Sequence, residues 1–63
     1  MDGLAARRKA AGYTQSSLAS LLGVSQAAVA AWESGIKLPS AHKLPSIAAA
    51  LHCTIDDLYK APA

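Results

Sequence analysis

The sequence predicts an all-α fold, a compact bundle of four or five helices with a helix-turn-helix at about residues 14–35. Three observations predict it. Within Thr14–Gly35 the same order of residues occurs twice: a capping residue, a run with apolar residues at helical spacing, and a glycine. Only a short turn separates the two runs, so two helices joined there must cross at a steep angle. Alanine, which favours helix without filling much volume, supplies a large share of the hydrophobic residues.

The two runs of this stretch have matched boundaries. Thr14 and Ser25 stand just before the runs, where a side-chain oxygen can accept from the free N–H groups of a helix start. Gly23 and Gly35 stand just after them, where a left-handed residue closes many helix ends. The spacing therefore predicts helices that begin after Thr14 and Ser25.

Length and composition limit the classes of protein. A chain of 63 residues allows one domain, covering residues 1–63, and such a domain buries only about 60% of its unfolded surface. The sequence has no run of 18 or more apolar residues to span a membrane, and its opening lacks the apolar core of a signal peptide. We therefore expect a cytoplasmic protein, in which the lone Cys53 is a free thiol.

The charge distribution favours a basic surface on the helix-turn-helix side. The formal net charge is +2 and the sequence pI is about 9.0, which permits nucleic-acid binding without requiring it. Most of the cations precede residue 44: Arg7, Arg8, Lys9, Lys37 and Lys43. Two acids, Asp56 and Asp57, lie near the C-terminus.

A first helix is predicted from Asp2 to Ala11, with Asp2 as its N-cap and Gly12 ending it. Leu4, Arg8 and Ala11 fall on one face at steps of four and three residues.

The second helix has its core stripe at Leu18 and Leu22, and Tyr13 precedes the cap, where its ring can pack against Leu18. The third helix is predicted from about Gln26 to Ser34, with Val29 and Trp32 directed inward. Its outward face comprises Gln26, Ala27, Ala30 and Ala31. This face lacks the long charged side chains of most solvated helices, which favours close approach to another surface over simple alanine-rich helix formation.

The last part of the chain is predicted to hold two more helices. A loop over residues 36–43 presents Lys37 and Lys43. Pro45 should lie in the first turn of a fourth helix, which continues through LPSIAAALH. Leu44, the residue before this proline, should be extended. The apolar stripe of this helix is Leu44, Ile47, Ala48 and Leu51. Thr54 caps a short fifth helix, IDDLYK, with Asp57 at its third position. Ile55, Leu58 and Tyr59 would either close the core or form a pairing surface.

These residues together resemble the phage repressor and Cro-type helix-turn-helix family, also called XRE or lambda-repressor-like. The resemblance runs from Leu4 to Tyr59, and its most specific parts are TQ, LGVSQ, WESG and IAAAL. It implies a lambda-repressor-like bundle of four or five helices that binds double-stranded DNA, with the third helix in the major groove and the second across the backbone.

The resemblance also implies roles for single residues. Gln15 matches a glutamine that contacts a phosphate and braces the recognition helix, and Ser25, Gln26 and Ala27 match the first recognition positions. A glutamine amide can pair with the N6/N7 edge of adenine, and an alanine methyl can meet a thymine methyl. Ala30 and Ala31 match later positions that often carry longer polar side chains, so this chain departs from the pattern there and modest selectivity is expected.

Further phosphate contacts are expected from helix N-termini, Ser16, Lys37 and Lys43. Arg8 and Glu33 match a family pair that forms an internal salt bridge, which would remove Arg8 from the phosphate contacts. Arg7 and Lys9 are weaker candidates, because a charged helix face is usually only solvated. His52 stands where the family usually has glycine, so a local backbone cost is expected there.

No metal site, cofactor or catalytic site is predicted. His52 and Cys53 are adjacent and therefore poorly spaced to share one tetrahedral ion, and His42 lies in another segment. Asp56 and Asp57 have a structural explanation at a helix start, and the chain has no glycine-rich phosphate loop.

The sequence therefore indicates a DNA-binding transcriptional regulator of the repressor type, acting as a homodimer at least on DNA. Pairing would come from Leu51–Tyr59 and the C-terminal tail. The alternative is a protein-interaction module, since the family fold also serves in antitoxins and adaptors. Whether the chain is part of a longer regulator is left open.

Overall fold

The computed structural model describes residues 1–60 and contains, within them, five α-helices and no β-strand. The helices are α1 (Leu4–Ala10), α2 (Gln15–Leu22), α3 (Gln26–Ser34), α4 (Leu44–Ala50) and α5 (Ile55–Tyr59), with a 3-10 turn at Ala41–Lys43. The all-α prediction is confirmed. None of the helices in this part of the chain has the length and hydropathy that crossing a membrane requires.

Each of the five helices contributes one fully buried side chain to the core. These side chains are Leu4, Leu18, Val29, Ile47 and Leu58. Trp32 is only 5% exposed and belongs to the same cluster, as do Ala48 and Leu51, while Tyr13, Leu22 and Leu44 pack against it. The five helices thus share one small core, in which α3 packs mainly against α2 and also contacts α1.

The predicted caps of the α2–α3 unit are confirmed. The Thr14 hydroxyl accepts from the Ser17 amide at 3.0 Å, and the Ser25 hydroxyl accepts from the Ala28 amide at 3.1 Å. Gly23 and Gly35 have φ angles of 72° and 84°, the left-handed conformation that closes these helices. The two helices are thus bounded as the sequence indicated.

The predicted start of α1 is wrong. The helix begins at Leu4, and its N-cap is Gly3 without any side-chain cap, so Asp2 does not cap it. The Gly3 amide instead donates to the Leu58 carbonyl at 3.0 Å. A Cβ at Gly3 would overlap the backbone carbonyl oxygens of Asp57 and Lys60. The chain before α1 is therefore held against α5, and only glycine fits there.

Both ends of α4 differ from the sequence prediction. Pro45 does lie in the first turn, but Leu44 is helical (φ −57°, ψ −44°), because the 3-10 turn runs directly into α4. The helix ends at Ala50, two residues early, since His52 adopts φ 55°. The amides of His52 and Cys53 then bond back to the carbonyls of Ala49 and Ala48. His52 thus adopts the left-handed conformation at the position where the resemblance led us to expect a local backbone cost.

In α5 the predicted capping box is present. The Thr54 hydroxyl accepts from the Asp57 amide at 3.2 Å, and the Asp57 carboxylate accepts from the Thr54 amide at 3.0 Å. Leu58 is buried, whereas Ile55 and Tyr59 are 36% and 44% exposed. Of these three residues of α5, only Leu58 therefore lies in the core. The tail proposed for pairing, residues 61–63, lies outside the described residues.

Candidate nucleic-acid interface

The starts of α2 and α3 lie side by side on the surface. The Gln26 amide nitrogen donates to Gln15 Oε1 at 3.5 Å, and the Ser16 hydroxyl donates to Gln26 Oε1 at 3.4 Å. Ser16, Ser25 and Gln26 are exposed, and Gln15 is half-buried. The turn between the helices thus brings together four of the polar residues expected to contact DNA.

The outward face of α3 is narrower than the sequence indicated. Gln26 and Ala27 are exposed, but Ala30 and Ala31 are only partly accessible. The helix presents its first turn to solvent and turns its later positions partly toward the protein. A surface lined by methyl groups admits a partner closely but offers few hydrogen bonds.

The two candidate lysines lie beside different grooves. Lys37 shares a shallow groove with Ala27, Ala31 and Leu38, next to the exposed face of α3. Lys43 lines a second groove with Leu22 and is half-buried. The structure therefore groups Lys37 with the recognition positions but does not group Lys43 with them.

Arg8 and Glu33 form an ion pair below this surface. Arg8 Nε lies 2.6 Å from Glu33 Oε2, and a second guanidinium nitrogen lies 3.2 Å from Oε1. The remaining Arg8 nitrogen donates to the Tyr13 carbonyl at 2.8 Å. Gln15 Nε2 also donates to Glu33 Oε1, at 3.0 Å. The pair joins α1 to the last turn of α3 and to the first residue of α2.

This environment keeps the Glu33 carboxyl ionised. Burial by itself would raise its pKa, but hydrogen bonds from Arg8 and Gln15, together with the charge of Arg8, outweigh burial and lower the pKa below its usual value. An ionised carboxylate can only accept hydrogen bonds. Any side-chain amide that faces Glu33 must therefore turn its NH₂ group, not its oxygen, toward the carboxylate.

Arg7 pairs with Asp57, which sequence reasoning did not find. Arg7 lies 3.6 Å from the Asp57 carboxylate, and both side chains are more than a third exposed. Hydrogen bonds from Thr54 lower the pKa of Asp57, with a smaller effect from the charge of Arg7. No spacing in the sequence could reveal this pair, because it depends on how α5 packs against α1.

Sequence reasoning also missed the apolar residues after α3. Ile36 and Leu38 are 78% and 64% exposed and flank Lys37. The run IKL in a polar loop was the available signal. Contiguous exposed apolar patches mark contact surfaces, and Leu38 of this pair lines the groove beside α3.

Among residues 1–60, no three side chains of His, Cys, Asp or Glu are grouped so that they could hold a metal ion. Cys53 is half-buried, and burial together with the charge of Asp57 raises its pKa, which disfavours the reactive thiolate.

Comparison with known proteins gave one family match. A family model described as helix-turn-helix matches residues 4–58, which is most of the chain. No curated protein and no solved structure matched the chain. The matched range begins with α1 and ends within α5, so it includes α1 to α4 in full and all but the last residue of α5.

Proposed function

Since the chain belongs to the Cro/CI-type helix-turn-helix family, a family of DNA-binding proteins, we propose that it is a transcriptional regulator of the repressor type that places α3 in the DNA major groove. It acts by occupancy, blocking or recruiting polymerase at the site that it binds.

The observation that carries this proposal is the polar cluster at the start of α3. Gln26 is exposed beside Gln15 and Ser16, and Ala27 follows it on the same exposed turn. The Gln26 amide suits the N6/N7 edge of adenine, and the Ala27 methyl suits the methyl group of thymine. Because Ala30 and Ala31 provide no polar group to read bases, selectivity is modest and depends partly on DNA shape.

Phosphate contacts position α3 on the duplex. Lys37 lies beside the exposed face of α3, and the first turns of α2 and α3 have backbone N–H groups without an intrahelical partner, which suit a phosphate. Gln15, Ser25 and Lys43 are further candidates. Arg8 is held by Glu33 in a buried pair, and the partly exposed Arg7 lies beside Asp57, so neither is counted among the phosphate contacts.

A homodimer on DNA places two copies of α3 in successive major grooves about 34 Å apart. The exposed Ile55 and Tyr59 of α5 are the surface that we propose for pairing, because the other apolar residue of this helix, Leu58, is buried in the core. The monomer alone presents one short reading surface, so pairing also supplies the affinity that one copy lacks.

The proposal is tested by selection of random-sequence duplexes with the full chain. We expect enrichment of a two-fold symmetric site with half-sites about ten base pairs apart. Gln26→Ala should weaken binding to that site, and Ser20→Ala, an exposed position on α2, is the matched control. Failure to enrich any site, or equal binding by Gln26→Ala and wild type, would overturn the proposal.

A second candidate function, a protein-interaction module such as an antitoxin or adaptor, is favoured by Ile36 and Leu38. Leu38 lines the groove beside α3 together with Ala27 and Ala31, and the exposed Ile36 precedes it by two residues, so a partner helix could pack there. A salt titration separates the two functions. DNA binding through several phosphates weakens steeply as salt rises, by about 0.9 in log K per decade of salt for each phosphate, whereas an apolar protein contact does not.

A further inference from the structure

A continuous row of hydrogen bonds leads from the buried ion pair to the exposed Gln26. Glu33 accepts from Gln15 Nε2 at 3.0 Å, and Gln15 Oε1 accepts from Gln26 Nε2 at 3.5 Å. At the other side of the same amide, Gln26 Oε1 accepts from the Ser16 hydroxyl at 3.4 Å. The two contacts at Gln26 are long, but they approach opposite ends of one amide group.

The chemistry of Glu33 fixes the direction of this row. A carboxylate only accepts, so Gln15 must turn its NH₂ group toward Glu33 and its oxygen outward. That oxygen also only accepts, so Gln26 must turn its NH₂ group toward Gln15. The oxygen of Gln26 then faces Ser16, whose hydroxyl can donate. Each amide orientation follows from the previous one, and the first follows from the ionised Glu33.

We propose that Ser16 is a positioning residue: its hydroxyl holds the Gln26 amide in the orientation that the Glu33 carboxylate imposes through Gln15, and this sharpens the distinction between A·T and T·A at the base pair that Gln26 meets. This inference rests on the proposed function, because it requires α3 to lie in the major groove. It assigns to Ser16 a role other than the phosphate contact expected from the sequence.

Orientation matters because the two ends of the amide are not equivalent to a base. Adenine presents an acceptor, N7, beside a donor, the N6 amino group, so the amide must place NH₂ and oxygen in the matching order. Reversing the base pair moves this pattern to the other strand. After its contacts to Gln15 and Ser16, Gln26 keeps one N–H and one lone pair, which is what adenine requires. A freely rotating amide would discriminate less.

The first test measures the free protein. We expect ¹⁵N relaxation to show an ordered Gln26 side-chain amide in wild type, in the matched control Ser20→Ala and in Ser16→Thr, which keeps the hydroxyl. In Ser16→Ala and in Gln15→Met, the order parameter of this amide should fall below about 0.6. A mobile amide in wild type, or an amide that stays ordered in Ser16→Ala, overturns the inference.

The second test uses the duplex obtained by selection, with the A·T pair at the Gln26 position reversed to T·A. Loss of one hydrogen bond in Ser16→Ala should reduce the A·T preference about two- to tenfold, and Ser16→Thr should restore it. Uniform weakening on both duplexes would indicate a phosphate contact by Ser16 and overturn the inference. If no duplex is enriched, the proposed function fails, while the relaxation measurement still decides whether Ser16 holds the amide.

Discussion

Arg8 of α1 and Glu33 of α3 form a buried ion pair in which the guanidinium Nε lies 2.6 Å from the carboxylate Oε2. The two side chains are only 9% and 10% exposed. Residues 25 positions apart are thereby joined, and the same carboxylate also accepts from Gln15. One charged group thus ties together α1, α2 and α3.

Removing one partner of this pair should be strongly destabilising. Arg8→Met leaves the Glu33 charge buried without its partner, at a cost of about 3–5 kcal/mol. A protein of this length has a total stability of about 3–9 kcal/mol, so the variant should lose a large part of its free energy of unfolding, as measured by circular dichroism during urea denaturation. The double variant Arg8→Met/Glu33→Leu removes both charges and should regain much of the loss. A double variant less stable than Arg8→Met would contradict this account.

Stability should fall as the pH falls from about 5 toward 3. The pKa values of Glu33 and Asp57 are lowered in the folded protein, so the unfolded chain binds more protons in this range and is favoured by acid. Urea unfolding at a series of pH values measures the effect. Arg8→Met/Glu33→Leu and Asp57→Asn should each have a shallower pH dependence than wild type. Equal slopes in all three proteins would show that these two carboxyls do not carry the effect.

Gly3→Ala should destabilise the protein by about 1–3 kcal/mol, because its Cβ would overlap the backbone of α5. The sign of the change in the free energy of unfolding shows whether α5 approaches Gly3 this closely. Gly3 has φ −86°, which alanine adopts easily, so without the close approach of α5 the substitution would stabilise by about 0.4–1 kcal/mol. Chemical denaturation distinguishes these outcomes. Gly12→Ala is a comparison in open space, where only the φ of 85° opposes a side chain.

His52→Gly should stabilise the protein by about 0.5–1 kcal/mol. His52 is exposed and has φ 55°, so glycine removes backbone strain while little packing is lost. The midpoint temperature of thermal unfolding should rise by about 4–8 °C for each kcal/mol of added stability. His42→Gly, in the 3-10 turn, is the control and should not stabilise. An unchanged or lower midpoint in His52→Gly would mean that the left-handed residue carries no cost.

The sequence predicted the parts of the fold that depend on neighbouring residues. The caps at Thr14, Ser25 and Thr54 and the left-handed Gly23 and Gly35 follow from local hydrogen bonding and backbone sterics, and the structure contains them all. The periodic apolar positions likewise gave inward residues of α1 to α4, whereas of the three apolar residues named in α5 only Leu58 is buried.

The parts that depend on distant segments could not be predicted. Asp2 would be a good cap in an isolated helix, but the contact between Gly3 and α5 delays the start of α1. The pair Arg7–Asp57 requires the same packing. Within the candidate site, the sequence named Gln15, Ser16 and Gln26 separately. Only the crossing of α2 and α3 shows that their side chains contact one another.

The central claim, that Gln26 reads an adenine in the major groove, is tested most directly by replacing single adenines of the selected duplex with 7-deazaadenine, which lacks the N7 acceptor. We predict that one adenine in each half-site is sensitive, with binding by wild type weakened about two- to tenfold and binding by Gln26→Ala unaffected by the replacement. Equal loss in both proteins, or no sensitive adenine at all, would contradict the account.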